Sequence, residues 1–245
     1  MSQFPNPFQQ SQGAHDLDYS QDGVSTSAIM RFFNAVYAWM ASGLALTAVV
    51  AWWVSTQQQL MASIFKGPTL IILIVVELAL VFTISAATQK INATAATALF
   101  LLYSALNGLT LSAIFVVYAH ASIAAAFIVS AGMFAAVSVY GFVTKRDLTS
   151  LGSFLFMGLI GIVLASIVNI FWANSTLYWI ITYAGALLFV GLTAYDTQKL
   201  KEIAVATETD PKLAARLSVN GALTLYLDFI NLFLFILRIM GNRRS

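Results

Sequence analysis

The chain has 245 residues and no cysteine. That excludes a disulfide framework, thiolate chemistry and a cysteine metal site. Histidine is nearly as scarce. With only His15 and His120 present, neither a histidine-built metal centre nor a serine–histidine protease fits. Charge is scarce too: 9% of residues are Asp, Glu, Lys or Arg, against about 25% in soluble domains. The net charge of +2 is too small to point to nucleic acid as a partner. The chain as a whole is 60% hydrophobic, with a mean hydropathy of +0.84. These values describe an all-α integral membrane protein whose partner is the lipid bilayer.

The first 30 residues are polar and carry Asp16, Asp18 and Asp22. They lack the basic start, short apolar run and small-residue cleavage site of a secretory signal. Residues 1–30 therefore read as a disordered cytoplasmic tail, and residues 31–245 as one transmembrane domain. A spanning helix needs about 20 apolar residues. Seven such runs occur, near 33–54, 68–88, 93–118, 122–143, 151–173, 177–198 and 217–240. Gly67-Pro68 opens the second, with proline in the first turn. Tyr118-Ala119-His120-Ala121-Ser122 breaks a run too long for one span, with Ser122 as an available N-cap. Lys145-Arg146-Asp147 and Asn174-Ser175 separate later spans. Asp210-Pro211 reads as the cap and first turn of the last helix, and Gly241-Asn242 as its end.

Lysine and arginine set the orientation. With the N-terminus inside, the inner segments carry Arg31, Lys90, Lys145, Arg146, Lys199, Lys201, Lys212 and Arg216, and the outer loops only Lys66. The C-terminal end is the exception, placing Arg238, Arg243 and Arg244 outside. No internal repeat of the inverted-transporter kind is visible.

Three of the ten acidic residues fall in or beside these spans: Glu77, Asp196 and Asp228. An acidic side chain at the bilayer centre costs roughly 3 kcal/mol on insertion scales. Glu77 lies nine residues past Pro68, about 14 Å deep, among apolar neighbours. It reads either as a protonated acid bonded to a neighbouring helix or as part of an ion path. In the last helix Asn220, Thr224, Asp228 and Asn231 follow steps of four, four and three, a single polar stripe. Asp196 sits near the inner end of the sixth span, where Lys199 or Lys201 is a simple ion-pair partner. By depth, Asp196 is roughly 5 Å and Asp228 roughly 15 Å inside the interface, so contact between them requires the sixth helix to sit deeper. Ser104, Asn107, Gly108, Thr110 and Ser112 in the third span, and Asn169 in the fifth, read as ordinary interhelical packing.

Two stretches carry a resemblance: Gly191-Leu-Thr-Ala-Tyr-Asp196-Thr-Gln-Lys199 and Leu223-Thr-Leu-Tyr-Leu-Asp228-Phe-Ile-Asn231-Leu-Phe. With Lys145-Arg146-Asp147-Leu148, the length and the seven spans, the chain resembles the Bax inhibitor family, in its bacterial branch, over residues 25–245. The resemblance implies a seven-helix fold with the last helix central, in a bacterial inner membrane. It implies a pH-sensitive calcium leak, with Ca2+ and protons as partners and no cofactor or enzymatic activity. Asp196 and Asp228 would be the hydrogen-bonded pair that senses protons, and would meet Ca2+ only in transit. Glu77 matches an acidic position lining the pore, and Asn231 is a further candidate on the path. Where family members can carry a latching arginine after that glutamate, this chain reads Ala86-Ala87-Thr88-Gln89-Lys90. Lys90 offers a point charge without the planar fork.

Other readings use the same residues. A proton-coupled transporter would employ the carboxylates as a relay. A non-conducting regulator would bind other membrane proteins. An intramembrane aspartyl protease is disfavoured because Leu225-Tyr226-Leu227-Asp228 lacks a Gly-x-Gly-Asp pattern. A retinal protein is disfavoured because no lysine lies between Leu217 and Met240.

Overall fold

A computed structural model describes the backbone of residues 10–87 and 91–242, with side chains over 26–86 and 91–242. Among the described residues there is no strand. The helices are α1 (Gln10–Ser55), α2 (Gln58–Phe65), α3 (Thr69–Ala87), α4 (Ala93–Leu111), α5 (Ala113–Val117), α6 (His120–Val143), α7 (Thr149–Trp172), α8 (Ser175–Ala206) and α9 (Pro211–Met240). Seven segments are long and apolar enough to span: α1 from Thr26, α3, α4 with α5, α6, α7, α8 and α9.

The ends of the spans follow the local chemistry. Asp210 accepts hydrogen bonds from the Lys212 and Leu213 amides at 3.1 and 3.0 Å, with Pro211 in the first turn. Those bonds satisfy amides that would otherwise be orphaned at the helix start. Asn174 caps α8 in the same way through the Leu177 amide. Several expectations shift. The first helix begins at Gln10, inside the stretch read as a disordered tail, although its apolar span starts at Thr26. Pro68 precedes the first helical residue and offers its carbonyl to Ile72. Ser122 is not an N-cap. The helix opens at His120, and the Ser122 hydroxyl instead accepts the Asn242 amide, tying the end of α9 to the α5–α6 turn. Helix α2 was not anticipated. The third span is interrupted at Ser112, whose hydroxyl bonds back to the Leu109 carbonyl and so competes with the helical ladder.

The sixth span is longer than its hydropathy suggests. Lys199, Lys201 and Glu202 look like the start of a loop. The helix nevertheless continues to Ala206, because Leu200 and Ala204 lie on a face that is buried in the bundle.

Helix α9 is the centre of the molecule. It packs against α1, α3, α4, α6 and α8, and 61% of its spanning window is buried, against 0% for α7. Its wholly buried side chains include Tyr226, Leu225 and Leu232.

Candidate functional site

Two polar clusters lie on opposite sides of α9. The first joins α9 to α8. Gly185 faces the Phe235 ring and Gly221 faces Leu200. This antiparallel register sets Asp196 level with Thr224 and Asp228 level with Leu192, about one turn apart. In each helix the Cα–Cβ bond tilts toward the N-terminus. On antiparallel helices the two tilts oppose, so the aspartates lean toward each other. Their carboxyl groups come within hydrogen-bonding reach. The depth mismatch expected from sequence is resolved by the extra length of α8. Asp196 lies ten residues, about 15 Å, before the end of the helix.

Asp228 is 4% exposed, and among the described residues its Oδ2 finds no donor. The group in reach is the Asp196 carboxyl, so a hydrogen bond between them requires one shared proton. Two carboxylates at this distance cannot both ionise cheaply. Of the lysines expected beside Asp196, Lys199 stays near enough to act on it through its charge, and Lys201 turns elsewhere. Lys201 donates to the Phe142 carbonyl at 3.0 Å and lies over the Phe142 ring, while Lys199 lies over Tyr195.

Neighbouring contacts fix α8 at this level. A Cβ at Gly141 would fall 2.3 Å from the Ala194 carbonyl, so α6 and α8 touch backbone to backbone two residues before Asp196. Gln198 donates to the Arg146 carbonyl and accepts the Leu148 amide, each at 2.8 Å, and so clasps the α6–α7 turn. That turn is itself capped. The exposed Asp147 carboxylate accepts the Thr149 amide at 2.8 Å, and together with the Thr149 hydroxyl this holds its pKa below the ordinary range.

The second cluster joins α9 to α1, α3 and α4. Glu77 accepts from Asn107 Nδ2 at 3.3 Å and from the Thr110 hydroxyl at 3.1 Å. The Tyr226 hydroxyl donates to Asn107 Oδ1 at 3.0 Å, and its oxygen lies 2.6 Å from the Thr47 hydroxyl. Thr47 in turn donates to the Ser104 carbonyl at 2.7 Å. A cavity of about 400 Å³ opens beside Thr47, walled mainly by apolar side chains such as Leu111, Phe127 and Phe233, with His120 on its rim. Tyr226 and Asp228 are two residues apart, roughly 200° around the helix. They therefore serve different clusters.

Of the residues singled out from sequence, Asp196 and Asp228 are brought together and Glu77 is not added to them. Among the described residues no three His, Asp or Glu side chains converge on one point. Asn231 donates to the Leu227 carbonyl on its own helix, and Thr224 to that of Asn220. Lys90 lies outside the described residues. Tyr226 and Gln198 lie within the two stretches that carry the resemblance but have no role assigned there, and Thr47 carries no mark in the sequence. Asn107 and Thr110, there taken as packing residues, are the partners of Glu77.

The sequence family described as inhibitor of apoptosis-promoting Bax1 matches residues 29–245. The chain belongs to the Bax inhibitor family. Both aspartate-bearing stretches and Glu77 lie inside the matched region. Among its relatives, the inner membrane protein YbhL of Escherichia coli strain K12 is 54% identical over 220 residues, covering 89% of this chain and 94% of that protein. An uncharacterized protein of Deinococcus radiodurans is 45% identical over 217 residues, covering 89% and 92%. Another, from Borreliella burgdorferi, is 43% identical over 230 residues, covering 94% and 99%.

Proposed function

We propose that this protein is a pH-sensitive calcium leak channel, non-enzymatic and cofactor-free, gated by the Asp196–Asp228 pair. The observation that carries the reading is the contact of two carboxyl groups in the bundle interior, with no other donor for Asp228 Oδ2 among the described residues. While one proton is shared, the hydrogen bond draws α8 onto the central α9. When it leaves, like charges meet in a low-dielectric setting and the helices are pushed apart. The apolar wall near Thr47 then wets, as hydrophobic constrictions do when they open. Ca2+ takes hard oxygen ligands, and the Glu77 carboxylate with the Asn107 and Thr110 oxygens is the oxygen-rich stretch on the way. Binding there is weak because few charges converge, which suits transit.

The setting we propose is a bacterial inner membrane, by likeness to YbhL, with the N-terminus on the cytoplasmic side as the lysine and arginine bias reads. The deciding experiment is Ca2+ flux into liposomes holding the purified protein, across pH 5–8, beside Asp196→Asn and Asp228→Asn. A leak that rises with pH and changes in either variant is expected. Flux and pH dependence unchanged in both variants would sink the gate. No flux above empty liposomes at any pH would favour a solute transporter or a regulator of other membrane proteins.

A further inference from the structure

Arg238, Arg243 and Arg244 run against the charge bias of the rest of the chain. The leak reading gives them no work. Arg238 lies in the last turn of α9, where a cation offsets the carbonyl end of the helix. Its guanidinium carbon is 6.0 Å from the Tyr178 ring centre and 5.4 Å from that of Phe235. Two rings therefore flank it, at an exposed position. It borders a cavity of about 500 Å³ between the end of α7, the start of α8 and the end of α9.

The other polar side chains lining this cavity are Asn169, Asn174, Ser175, Tyr178 and Trp179, and among the described residues no acidic side chain lines it. Asn169 Oδ1 accepts the Asn174 amide at 3.0 Å, and Asn174 Oδ1 accepts the Leu177 amide at 2.9 Å. With both oxygens engaged, each side chain has its NH2 group left to donate. Ser175 and Tyr178 add hydroxyls and Trp179 an indole N–H. A donor-rich pocket whose described lining holds a guanidinium and no acid is the complement of an anion with several oxygens. Beside it Phe171 and Trp172 are 86% and 78% exposed, and Trp179 stacks on Tyr183. Such aromatic groups settle at headgroup depth, which is where phosphates are found.

We propose that this pocket binds a phosphate group at the membrane surface, from an anionic phospholipid or from free phosphate, with Arg238 as its cation. The inference is independent of the leak. The test is native mass spectrometry of the full chain with dioleoylphosphatidylglycerol or dioleoylphosphatidylcholine, repeated with added inorganic phosphate. Wild type should retain phosphatidylglycerol over phosphatidylcholine. Arg238→Gln should weaken phosphatidylglycerol binding about tenfold or more, the scale of a lost charge-assisted contact, with phosphatidylcholine unchanged. Arg238→Lys should recover part of the loss. Ser175→Ala and Tyr178→Phe each remove one donor and leave the cation, so they give a smaller loss even where Arg238→Gln lowers the thermal midpoint. Displacement of phosphatidylglycerol by millimolar phosphate would assign the site to free phosphate as well, and resistance to it would assign the lipid. Equal retention of both lipids by wild type, or an unchanged preference in Arg238→Gln, Ser175→Ala and Tyr178→Phe, overturns the proposal.

Discussion

Asp228 and Tyr226 sit two positions apart on α9 and answer to different neighbours. One meets Asp196, the other Asn107 and Thr47. This separation makes a distinction testable with single substitutions. Glu77→Gln should lower Ca2+ flux several-fold while keeping its pH dependence, because the carboxyl pair is untouched. Flux measured across pH 5–8 checks it, and a shifted pH profile would argue against two separate clusters. Tyr226→Phe removes the hydroxyl that bridges α1 and α4 and leaves Asn107 Oδ1 without that donor. A loss of about 1 kcal/mol is expected, the usual scale for a hydrogen bond between membrane helices, read from thermal unfolding in detergent. The carboxylates were legible in the sequence because charge is rare and costly in a bilayer. Their partners were not. Asn107, Thr110, Thr47 and Tyr226 are residue types that pack helices everywhere, and they acquire a role only when α1, α3, α4 and α9 meet across separations of 30 to 179 positions.

At the level of the helices, α6, α8 and the turn after α6 act as a mount for Asp196. Gly141→Val puts a side chain where the Ala194 backbone already lies. It should force α6 and α8 apart and destabilise the protein by about 1–3 kcal/mol, the range for overpacking; a thermal midpoint equal to wild type would contradict the close approach. Asp147 gives a contrasting case in the turn itself. Its pKa is held below the ordinary value by Thr149. Its stabilisation is therefore complete above the unfolded pKa of about 4 and is lost only as pH falls through the lower folded value. Asp147→Asn should abolish this acid-side loss, seen as a flatter thermal midpoint between pH 2 and 5. It should leave any flux change over pH 5–8 intact. The starts of α8 and α9 were readable from Asn174, Asp210 and Pro211, whose capping chemistry is local. The extension of α8 to Ala206 was not, because its charged residues resemble a loop until the buried face of Leu200 and Ala204 is known.

For the molecule as a whole, the number of spans and the sequence order of the helices follow from hydropathy alone, since a bilayer leaves the backbone few alternatives. Which helix lies at the centre does not, because every span is apolar; only the family resemblance named α9. The proposed orientation has a direct check, helped by the absence of cysteine. Lys145→Cys and Thr176→Cys each introduce one thiol at an exposed position on opposite ends of the bundle. An impermeant maleimide should label Thr176→Cys in intact cells stripped of the outer membrane, and Lys145→Cys only after lysis. The reverse pattern inverts the topology. The placement of α9 also bears on how the protein is made. The helix around which the others pack follows them in the chain, so it leaves the ribosome after them. Until it inserts, six spanning segments wait in the membrane around a missing centre, and Asp196 waits without Asp228. A chain interrupted before Pro211 therefore has neither a finished core nor the carboxyl pair, and is left as a loose bundle for proteases to clear.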